Sequence, residues 1–389
     1  MILKLLAERL AEIGRAGLLR RRFARQGPQG PRIAVEGREY LAFCSNDYLG
    51  LANHPRIVKA AVEAAERHGV GQGASHLLSG HSVVHERLES ALAQFVRMPR
   101  ALHFSSGYQA NIGAIGALAG PEDTVFSDAL NHASLIDGAR LSRARVVRYP
   151  HLDLGFLEEA LASSTGGGKV VVTDAVFSMD GDIAPVAALL ELCERHDALL
   201  LLDDAHGFGV LGAQGRGTPA HFELSSPRIV YVGTLGKAAG VSGAFVAGTQ
   251  EVVETVLQRA RTYIYTTAAP AMLAAAVEAS LELIRTEEWR RERLRSLVAS
   301  LKRSLPGIGL KPSDTPIQPL VLGTNAAALH AAANLRERGI LVPAIRPPTV
   351  PEGTARLRIS LSAAHDDQDV SRLAAVLREA CASGAEAHV

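Results

Sequence analysis

The sequence around Lys237 is unusually apolar for a lysine that lies at the protein surface. It follows Gly236 and precedes a run of small and apolar residues, 238–243, and no acidic residue lies within ten positions of it. An amine in an apolar setting is poorly solvated as an ammonium ion, so it loses its proton more easily and can form a Schiff base. The alternative is a lysine that reaches solvent from a loop along its aliphatic stem.

An acidic residue, Asp203, ends a second apolar run, and His206 follows three positions later. Residues 198–202 (ALLLL) and 229–232 (IVYV) each predict a buried strand, the second shortly before Lys237. In open α/β sheets, ligands bind at the carboxyl ends of the strands. A lysine and an acid at two such ends are the groups that pyridoxal phosphate requires, one for a Schiff base and one to face the pyridine nitrogen.

A serine-glycine turn supplies a third group. Ser105, Ser106 and Gly107 follow a short predicted strand at 101–104 and precede Tyr108 at the start of a predicted helix. Backbone N–H groups in the first turn of a helix have no partner within the helix and bind phosphate well. The same turn is also typical of an ordinary helix cap. Together with the lysine and the acid, it favours a phosphate-bearing cofactor.

Other glycine-rich stretches resemble nucleotide-binding loops, but the residues around them do not supply the strand, the helix or the spacing that such a loop requires. Residues 207–212 fit G-x-G-x-x-G after a strand, yet glycines and a proline between 213 and 219 leave no helix to receive a pyrophosphate. The glycines before Lys237 do not have the spacing of a P-loop. Residues 69–80 lack a preceding strand, so we interpret them as a backbone-packing segment near the site.

Composition and charge exclude several classes of protein. The 389 residues carry a formal net charge of +1 without a long basic run that contains aromatic residues, so nucleic-acid binding is not expected. Cys44, Cys193 and Cys381 are widely separated, so neither a disulfide framework nor a metal site is predicted, and a reducing cytoplasm fits best. Residues 1–14 lack a signal-peptide cleavage site, and no run is long enough to span a membrane.

Alternating strand and helix patterns between residues 46 and 286 predict the elements that position these groups. The alternation predicts an α/β fold with a mainly parallel sheet and helices on both faces. Residues 1–45 contain a predicted helix over 1–23 and a hairpin at 32–43. Residues 287–389 predict a smaller α+β domain, so we expect a large cofactor-binding domain between two smaller segments.

Motifs along nearly the whole chain resemble one enzyme family. They are SNDYLG (45–50), SGHSVVHE (79–86), SGYQAN (106–111), NHASL (131–135), VFSMDGD (176–182), DDAHGFGVLGAQGRG (203–217), TLGK (234–237) and AIRPPTVPEGTARLR (344–358). In these motifs the chain is similar to the α-oxoamine synthases, pyridoxal phosphate enzymes of the aspartate aminotransferase fold, known as fold type I. The last motif is the more specific pointer to the member of the family that serves biotin biosynthesis.

The resemblance implies a role at the cofactor for each matching residue. Lys237 would hold pyridoxal phosphate as a Schiff base, Asp203 would keep its pyridine nitrogen protonated, and His132 would stack on its ring. The other contacts would face the phenolic oxygen or the phosphate, and they are Ser178, His206, Gly107, Tyr108, Thr234, Thr266 and Thr267. Either of the last two would come from a neighbouring subunit, which implies a homodimer with active sites at the interface. The catalytic residues would be Lys237, Asp203, His132 and His206.

The resemblance also implies a substrate and a reaction. Arg358 with Asn46 would clamp the amino-acid carboxylate, because an arginine fork grips a carboxylate at two points. Further substrate contacts would be His132, Arg20 and Thr349. The implied reaction condenses L-alanine with a pimeloyl thioester, of coenzyme A or an acyl carrier protein, with loss of carbon dioxide. The open alternatives are a family member that uses glycine or serine with another thioester, an aminotransferase, and a non-catalytic binding subunit.

The chain departs from the pattern of the family at two places. His151-Leu152-Asp153 stands where the family often has histidine, asparagine and aspartate, and Ala238-Ala239 stands in a segment that is often richer in glycine and phenylalanine. Neither departure replaces a residue that is expected to carry charge in the reaction.

Overall fold

The computed structural model describes residues 1–385, of which 380–385 are described as backbone only. Cys381 therefore lies outside the described side chains. Contacts divide the chain into two compact units. The central unit consists of Leu49–Ser178 and Asp182–Arg291, and the terminal unit consists of Met1–Tyr48, Met179–Gly181 and the residues from Glu292 onward. The three-part division expected from the sequence, 1–45, 46–286 and 287–389, stays a prediction.

The helices and strands follow one another along both units. The helices are α1 (Ile2–Arg15), α2 (Pro55–His68), α3 (Val83–Val96), α4 (Gly107–Leu118), α5 (Ala133–Leu141), α6 (Leu154–Ser163), α7 (Val186–Arg195), α8 (Thr218–His221), α9 (Gln250–Arg259), α10 (Arg261–Ile264), α11 (Ala271–Thr286), α12 (Glu288–Ser304), α13 (Asn325–Glu337) and α14 (Asp367–Ala385). The strands are β1 (Arg25–Gln26), β2 (Arg32–Val35), β3 (Arg38–Ala42), β4 (Arg100–Phe104), β5 (Thr124–Asp128), β6 (Arg145–Tyr149), β7 (Lys169–Asp174), β8 (Ala198–Asp203), β9 (Ile229–Thr234), β10 (Ala244–Gly248), β11 (Ile317–Gly323), β12 (Ile340–Leu341), β13 (Ala344–Ile345) and β14 (Ala355–Ser360).

A seven-stranded sheet runs through the central unit in the order β4-β10-β9-β8-β7-β5-β6. The strands from β9 to β6 pair in parallel, whereas β10 runs antiparallel to β4 and β9. The predicted α/β fold with a mainly parallel sheet is therefore confirmed. Strand β10 was not predicted, because it continues a run of small residues that lacks a clear strand pattern.

The carboxyl ends of three neighbouring strands bring polar residues together. Strands β7 and β8 are almost completely buried, as expected for a parallel sheet that is covered on both faces. They end in Asp174 and Asp203, which the parallel register places side by side. Val232 of β9 is paired with Asp203, and Thr234 ends β9 two residues later. Residues about thirty positions apart in the sequence therefore meet at one edge of the sheet.

Helix α4 begins where the sequence predicts it. The Ser106 hydroxyl accepts a hydrogen bond from the N–H of Gln109 at 3.3 Å, which is the geometry of an N-cap. The helix packs closely on α5, since a Cβ at Gly138 of α5 would lie 2.9 Å from Cδ1 of Ile115. This close packing fixes the position of α4 relative to α5.

Helix α1 is shorter than the predicted helix over residues 1–23, because it ends at Arg15. Gly17 adopts the left-handed φ of +66°, and the N–H of Leu18 donates to the carbonyl of Ile13 at 2.9 Å. This is the Schellman pattern of a helix C-terminus, in which glycine is favoured because it has no Cβ. The apolar period beyond residue 16 therefore belongs to a loop.

The terminal unit contains two small sheets, β1-β2-β3-β12 and β11-β14-β13, and β2 and β3 form the predicted hairpin. Strand β14 is buried along its whole length, so its arginines need partners. Arg356 donates to Asp180 at 2.6 Å. Burial alone would raise the pKa of Asp180, but hydrogen bonds from Lys311 and Arg356 outweigh burial and lower it. Among the described residues, no helix combines the length and the apolar character that a membrane crossing needs.

Two glycines of α4 test how tightly this helix is packed. A Cβ at Gly113 would lie 2.5 Å from Oγ1 of Thr262 and 3.2 Å from the Phe104 ring, whereas a Cβ at Gly116 would meet nothing within 4 Å. We expect Gly113→Ala to lower the free energy of unfolding by about 1–3 kcal/mol through overpacking. Gly116→Ala should raise it by up to about 1 kcal/mol, because alanine favours helix. Thermal melting of both variants tests this, and equal stability of the two would contradict the packing.

Candidate active site

The carboxylate of Asp203 is buried at the carboxyl end of β8. Asn111, in the first turns of α4, donates from Nδ2 to one carboxylate oxygen at 2.6 Å, and the N–H of Ala205 donates to the other at 3.0 Å. Hydrogen bonds from N–H groups stabilise the ionised form of a carboxylate and fix its direction. A carboxylate held in this way is suited to face a positively charged ring nitrogen.

The same amide links Asp203 to His132. Asn111 Nδ2 also donates to the hydroxyl oxygen of Ser134 at 2.8 Å, and that hydroxyl lies 2.7 Å from Nδ1 of His132. The N–H of Ser134 donates to the same ring nitrogen at 3.3 Å, so Nδ1 accepts and the ring proton of a neutral His132 lies on Nε2. Neither Asn111 nor Ser134 was assigned a role from the sequence, although both lie within quoted motifs.

Asp174 is a second carboxyl group at this edge of the sheet. It ends β7 beside Asp203, and the N–H of His132 donates to it at 2.6 Å. Burial and the neighbouring Asp203 carboxylate raise the pKa of Asp174 well above its ordinary value. The sequence analysis missed this residue. The signal that identified Asp203, an acid directly after an apolar run, also applies to Asp174 and could have found it.

Lys237 lies in the turn between β9 and β10, and it is half-buried. Its Nζ lies 2.9 Å from Nε2 of His206, a buried residue that follows β8. Burial lowers the pKa of His132, the Asp203 carboxylate opposes this shift, and the Lys237 ammonium adds to it. The predicted lysine and the predicted acid are therefore both close enough to act on one imidazole ring.

The predicted phosphate contacts also lie close together. The hydroxyl of Thr234, at the end of β9, donates to the carbonyl of Gly243 at 3.3 Å. A Cβ at Gly107 would lie 3.7 Å from Oγ1 of Thr234, so the first N–H groups of α4 begin next to this hydroxyl. The Tyr108 ring meets the His132 ring edge-on at 6.4 Å, and the Tyr108 hydroxyl donates to Asp137. Gly107, Tyr108 and Thr234 thus border the group formed by Asp203, His132 and Lys237.

Three other predicted cofactor residues lie on separate segments. Thr266 and Thr267 follow α10, where Thr267 pairs with Ser75 of the glycine-rich segment. Ser178 follows Phe177, whose N–H donates to the carbonyl of Asp182 at 3.0 Å. Their roles toward the cofactor, including the contribution of a threonine to a second subunit, stay predictions.

The predicted carboxylate clamp lies in the terminal unit. Arg358 of β14 is buried and donates to Asn46 at 3.1 Å and to Ser360 at 2.8 Å. It also donates to the Tyr48 hydroxyl at 3.4 Å, and that hydroxyl donates to Asn46 at 3.1 Å. Burial raises the pKa of Tyr48 and Arg358 opposes the shift. Tyr48 is a member of this group that the sequence analysis did not single out.

Arg20 and Thr349 line one cavity of about 560 Å³ within the terminal unit. Its other lining residues are mostly apolar and come from the segment after α1, from α13 and from the chain around β13. Its remaining cationic residues are Arg21, Arg336 and Arg346. An apolar cavity with several arginines suits a ligand that carries a hydrocarbon chain and an anionic group.

The G-x-G-x-x-G stretch has a structural role instead of a nucleotide-binding one. Asp204 is buried and accepts hydrogen bonds from the backbone and hydroxyl of Thr218 and from the Tyr231 hydroxyl. Burial raises the pKa of Asp204 to about 7, although these donors oppose the shift. A Cβ at Gly207 would lie 2.0 Å from its Oδ1, and a Cβ at Gly217 would lie 2.1 Å from its Oδ2. These glycines therefore make room for the Asp204 carboxyl group.

His151 precedes Leu152, the first departure from the family pattern, and it joins two acids. Its Nδ1 lies 3.0 Å from Asp128 and its Nε2 lies 2.8 Å from Asp182, while its ring meets Phe177 edge-on. Burial by itself lowers the pKa of His151, but the two carboxylates outweigh burial and raise it to about 9. His151 is therefore a protonated link between β5 and the segment that follows Ser178.

Comparisons with known proteins agree with this geometry. The family model of class I and II aminotransferases matches residues 38–377. The 8-amino-7-oxononanoate synthase of Nitrosospira multiformis is 63% identical, and the match covers 96% of this chain and 95% of the synthase. The 8-amino-7-oxononanoate synthase 1 of a Polaromonas species is 59% identical, and the match covers 97% of this chain and 95% of that synthase. A solved serine palmitoyltransferase variant from S. paucimobilis, with bound PLP and myriocin, has a TM-score of 0.90 and 30% identity, and covers 98% of this chain and 97% of that one.

The chain belongs to the class I and II aminotransferase family, and its fold is fold type I. Within that family it is similar over nearly its whole length to 8-amino-7-oxononanoate synthases. The resemblance to the α-oxoamine synthases that the motifs predicted is confirmed. The roles of the individual site residues stay predictions.

The hydrogen bond between Asn111 and Asp203 can be tested by a change that keeps the side-chain shape. Asn111→Leu removes the donor and leaves the carboxylate with one partner fewer, and a hydrogen bond to a charged group is worth about 1.5–3 kcal/mol. We expect pyridoxal phosphate to bind this variant about tenfold more weakly or worse. Ser134→Ala, which keeps the bond to Asp203, should have a smaller effect. Absorbance titration with the cofactor measures both, and unchanged affinity of Asn111→Leu would refute the role.

The link made by His151 predicts a pH dependence of stability. Since the pKa is raised above its unfolded value, the stabilisation is fully present below about pH 6.5 and is lost as the pH rises toward about 9. We expect His151→Gln to lower the free energy of unfolding by about 1–3 kcal/mol at pH 6, and by much less at pH 9.5. Unfolding of variant and wild type over this pH range tests the link. A difference that does not change with pH would contradict it.

Proposed function

We propose that this chain condenses L-alanine with a pimeloyl thioester to give 8-amino-7-oxononanoate, carbon dioxide and the free thiol, a reaction of biotin biosynthesis. The observation that carries the proposal is the identity of 56–63% to several 8-amino-7-oxononanoate synthases. Serine palmitoyltransferases match the fold at only 30–31% identity. A solved 8-amino-7-oxononanoate synthase from Francisella tularensis matches at the same 30%, so it is the relatives at 56–63% that favour alanine and the pimeloyl group.

Pyridoxal phosphate is the cofactor, and the residues of the central unit fit it. Asp203 has two donors that fix a negative charge, and Asn111 Oδ1 is buried without a partner within the described part of the chain. Lys237 supplies the amine, and the start of α4 supplies N–H donors for a phosphate. The Thr234 hydroxyl, which donates to Gly243 in this structure, would turn toward the phosphate when it binds. When bound, the cofactor acts as an electron sink for the negative charge that develops at Cα of the amino acid.

Each catalytic residue has a distinct task in this proposal. The Lys237 amine would hold the cofactor and would move the proton at Cα of the alanine substrate. The Asp203 carboxylate keeps a proton on the ring nitrogen. His132 is oriented by Ser134, so its flat face can support the ring. His206, whose Nε2 lies 2.9 Å from the lysine Nζ, would orient the lysine and, as the family resemblance implies, would face the phenolic oxygen of the cofactor.

The terminal unit would bind the two substrates. Arg358, oriented by Asn46 and Ser360, would bind the alanine carboxylate that later leaves as carbon dioxide. The cavity lined by Arg20 and Thr349 would take the pimeloyl chain, because a pimeloyl group has apolar methylenes and a terminal carboxylate that an arginine can neutralise. Thioesters of coenzyme A and of an acyl carrier protein are both compatible with this arrangement.

The proposal includes a homodimer and a location in a reducing cytoplasm. A homodimer would allow Thr266 or Thr267 of one subunit to reach the phosphate of the other. A reducing cytoplasm is supported by Cys44 and Cys193, which are free thiols, one exposed and one buried.

The central experiment assays release of carbon dioxide and thiol from both pimeloyl thioesters with alanine, glycine and serine. We expect turnover with alanine to exceed that with the other amino acids, and a preference for glycine or serine would overturn the substrate assignment. Lys237→Ala should lose the cofactor absorbance that follows addition of pyridoxal phosphate, and its turnover should fall on the order of 10³-fold or more. Lys59→Ala, on the surface of α2, is the matched control and should retain both. Full activity of Lys237→Ala would refute the role of this lysine.

A further inference from the structure

A group of histidines and glutamates lies around the start of helix α3, and none of them is assigned a role in the reaction. His81 precedes the helix, and Glu86 and Glu89 lie on it three residues apart, so that they share one face. One ligand atom from each of these three side chains lies within 4.8 Å of the others. All three line a cavity of about 310 Å³ within the central unit.

Neighbouring residues orient His81 and Glu89, and His81 in turn contacts Glu86. Nδ1 of His81 lies 2.8 Å from Nδ1 of His76, and the buried His76 ring stacks on Tyr263 with centroids 4.8 Å apart. Only one of the two nitrogens can carry the shared proton. If His81 Nδ1 carries it, then Nε2 of His81 presents a lone pair toward Glu86 Oε2, which lies 3.0 Å away.

Glu89 is fixed by the backbone of the adjacent strand. One of its carboxylate oxygens accepts a hydrogen bond from the N–H of His103 on β4 at 2.9 Å. This leaves the second oxygen to face the cavity that Glu89 lines together with His81 and Glu86. In metal sites, neighbouring residues typically hold the ligands by such hydrogen bonds. One bond is made to the histidine nitrogen that faces away from the metal, and another is made to a carboxylate ligand.

We propose that His81, Glu86 and Glu89 form a binding site for a divalent cation of the zinc type. One imidazole nitrogen and two carboxylate oxygens are ligands that Zn²⁺ accepts, and the cavity leaves a fourth position for water. The ligand atoms must approach one another slightly, because ligands of a tetrahedral ion at about 2.0–2.2 Å from the metal lie closer together than 4.8 Å. Glu86 is exposed and can make this movement.

Two carboxyl groups face the cavity, and burial raises the pKa of Glu89 to about 7, so a bound cation would favour the ionised form of Glu89. Arg100, which also lines the cavity, is paired with Glu254. The competing arrangement has no metal, with the proton on Nε2 of His81 donated to Glu86. The two arrangements differ in one measurable property, which is the uptake of one cation per chain.

The test uses the holoenzyme and the metals themselves. Co²⁺ is titrated into metal-free holoenzyme, its visible ligand-field bands are recorded, and the bound ion is then displaced with Zn²⁺. We expect one ion per chain, with Glu86→Gln and His81→Ala each weakening Co²⁺ binding by about a hundredfold and His76→Phe by about tenfold. His330→Ala, an exposed histidine of α13, is the matched control and should bind like wild type.

Glu86→Gln keeps the test valid even if His81→Ala does not fold, because Glu86 is exposed and its substitution leaves the packing of α3 intact. Retained cofactor absorbance and alanine-dependent turnover in Glu86→Gln would show that the site is separate from the reaction. Absence of Co²⁺ uptake by wild type at micromolar protein would overturn the proposal. Equal uptake by wild type and Glu86→Gln would also overturn it, because the ion would then lie elsewhere.

Discussion

The parallel pairing of β7, β8 and β9 is the constraint on which the site depends. Parallel strands present their carboxyl ends at the same edge of a sheet, so the register that pairs Asp174 with Asp203 also places Thr234 next to them. The turn after β9 then carries Lys237 back over the same edge, where its amine meets His206. A shift of one residue in this register would turn each of these side chains to the opposite face.

The site also depends on the electrostatic interaction between the carboxyl groups of Asp174 and Asp203. Two buried carboxyl groups at adjacent strand ends cannot both remain ionised without strong stabilisation. Burial and the neighbouring Asp203 carboxylate raise the pKa of Asp174, although the N–H of His132 donates to it. Asp203 instead accepts hydrogen bonds from Asn111 and Ala205, which fix the direction of its carboxylate. The structure therefore gives two chemically identical groups different surroundings.

The comparisons with known proteins and the arrangement of the site residues support the same function independently. The comparisons establish a fold-type I member with close relatives among the 8-amino-7-oxononanoate synthases. The structure adds a lysine and an acid that act on one histidine, and, in the terminal unit, a buried arginine with a cavity that contains further arginines. No residue of the cluster at His81 is assigned a role in this chemistry, so metal binding tests the cluster by a separate measurement.

The sequence by itself determined the fold class, the family and the residue types at the strand ends, because apolar runs that end in Asp203 or lead to Lys237 are local patterns. It could not show the partners of these residues. Asn111 and Ser134 act through hydrogen bonds that cross from α4 to β8 and α5, His151 joins two acids from different segments, and no local spacing encodes such contacts. Only the tertiary structure decided which of the two acids Asn111 contacts and which histidine faces the glutamates, since both depend on packing between segments far apart in the chain.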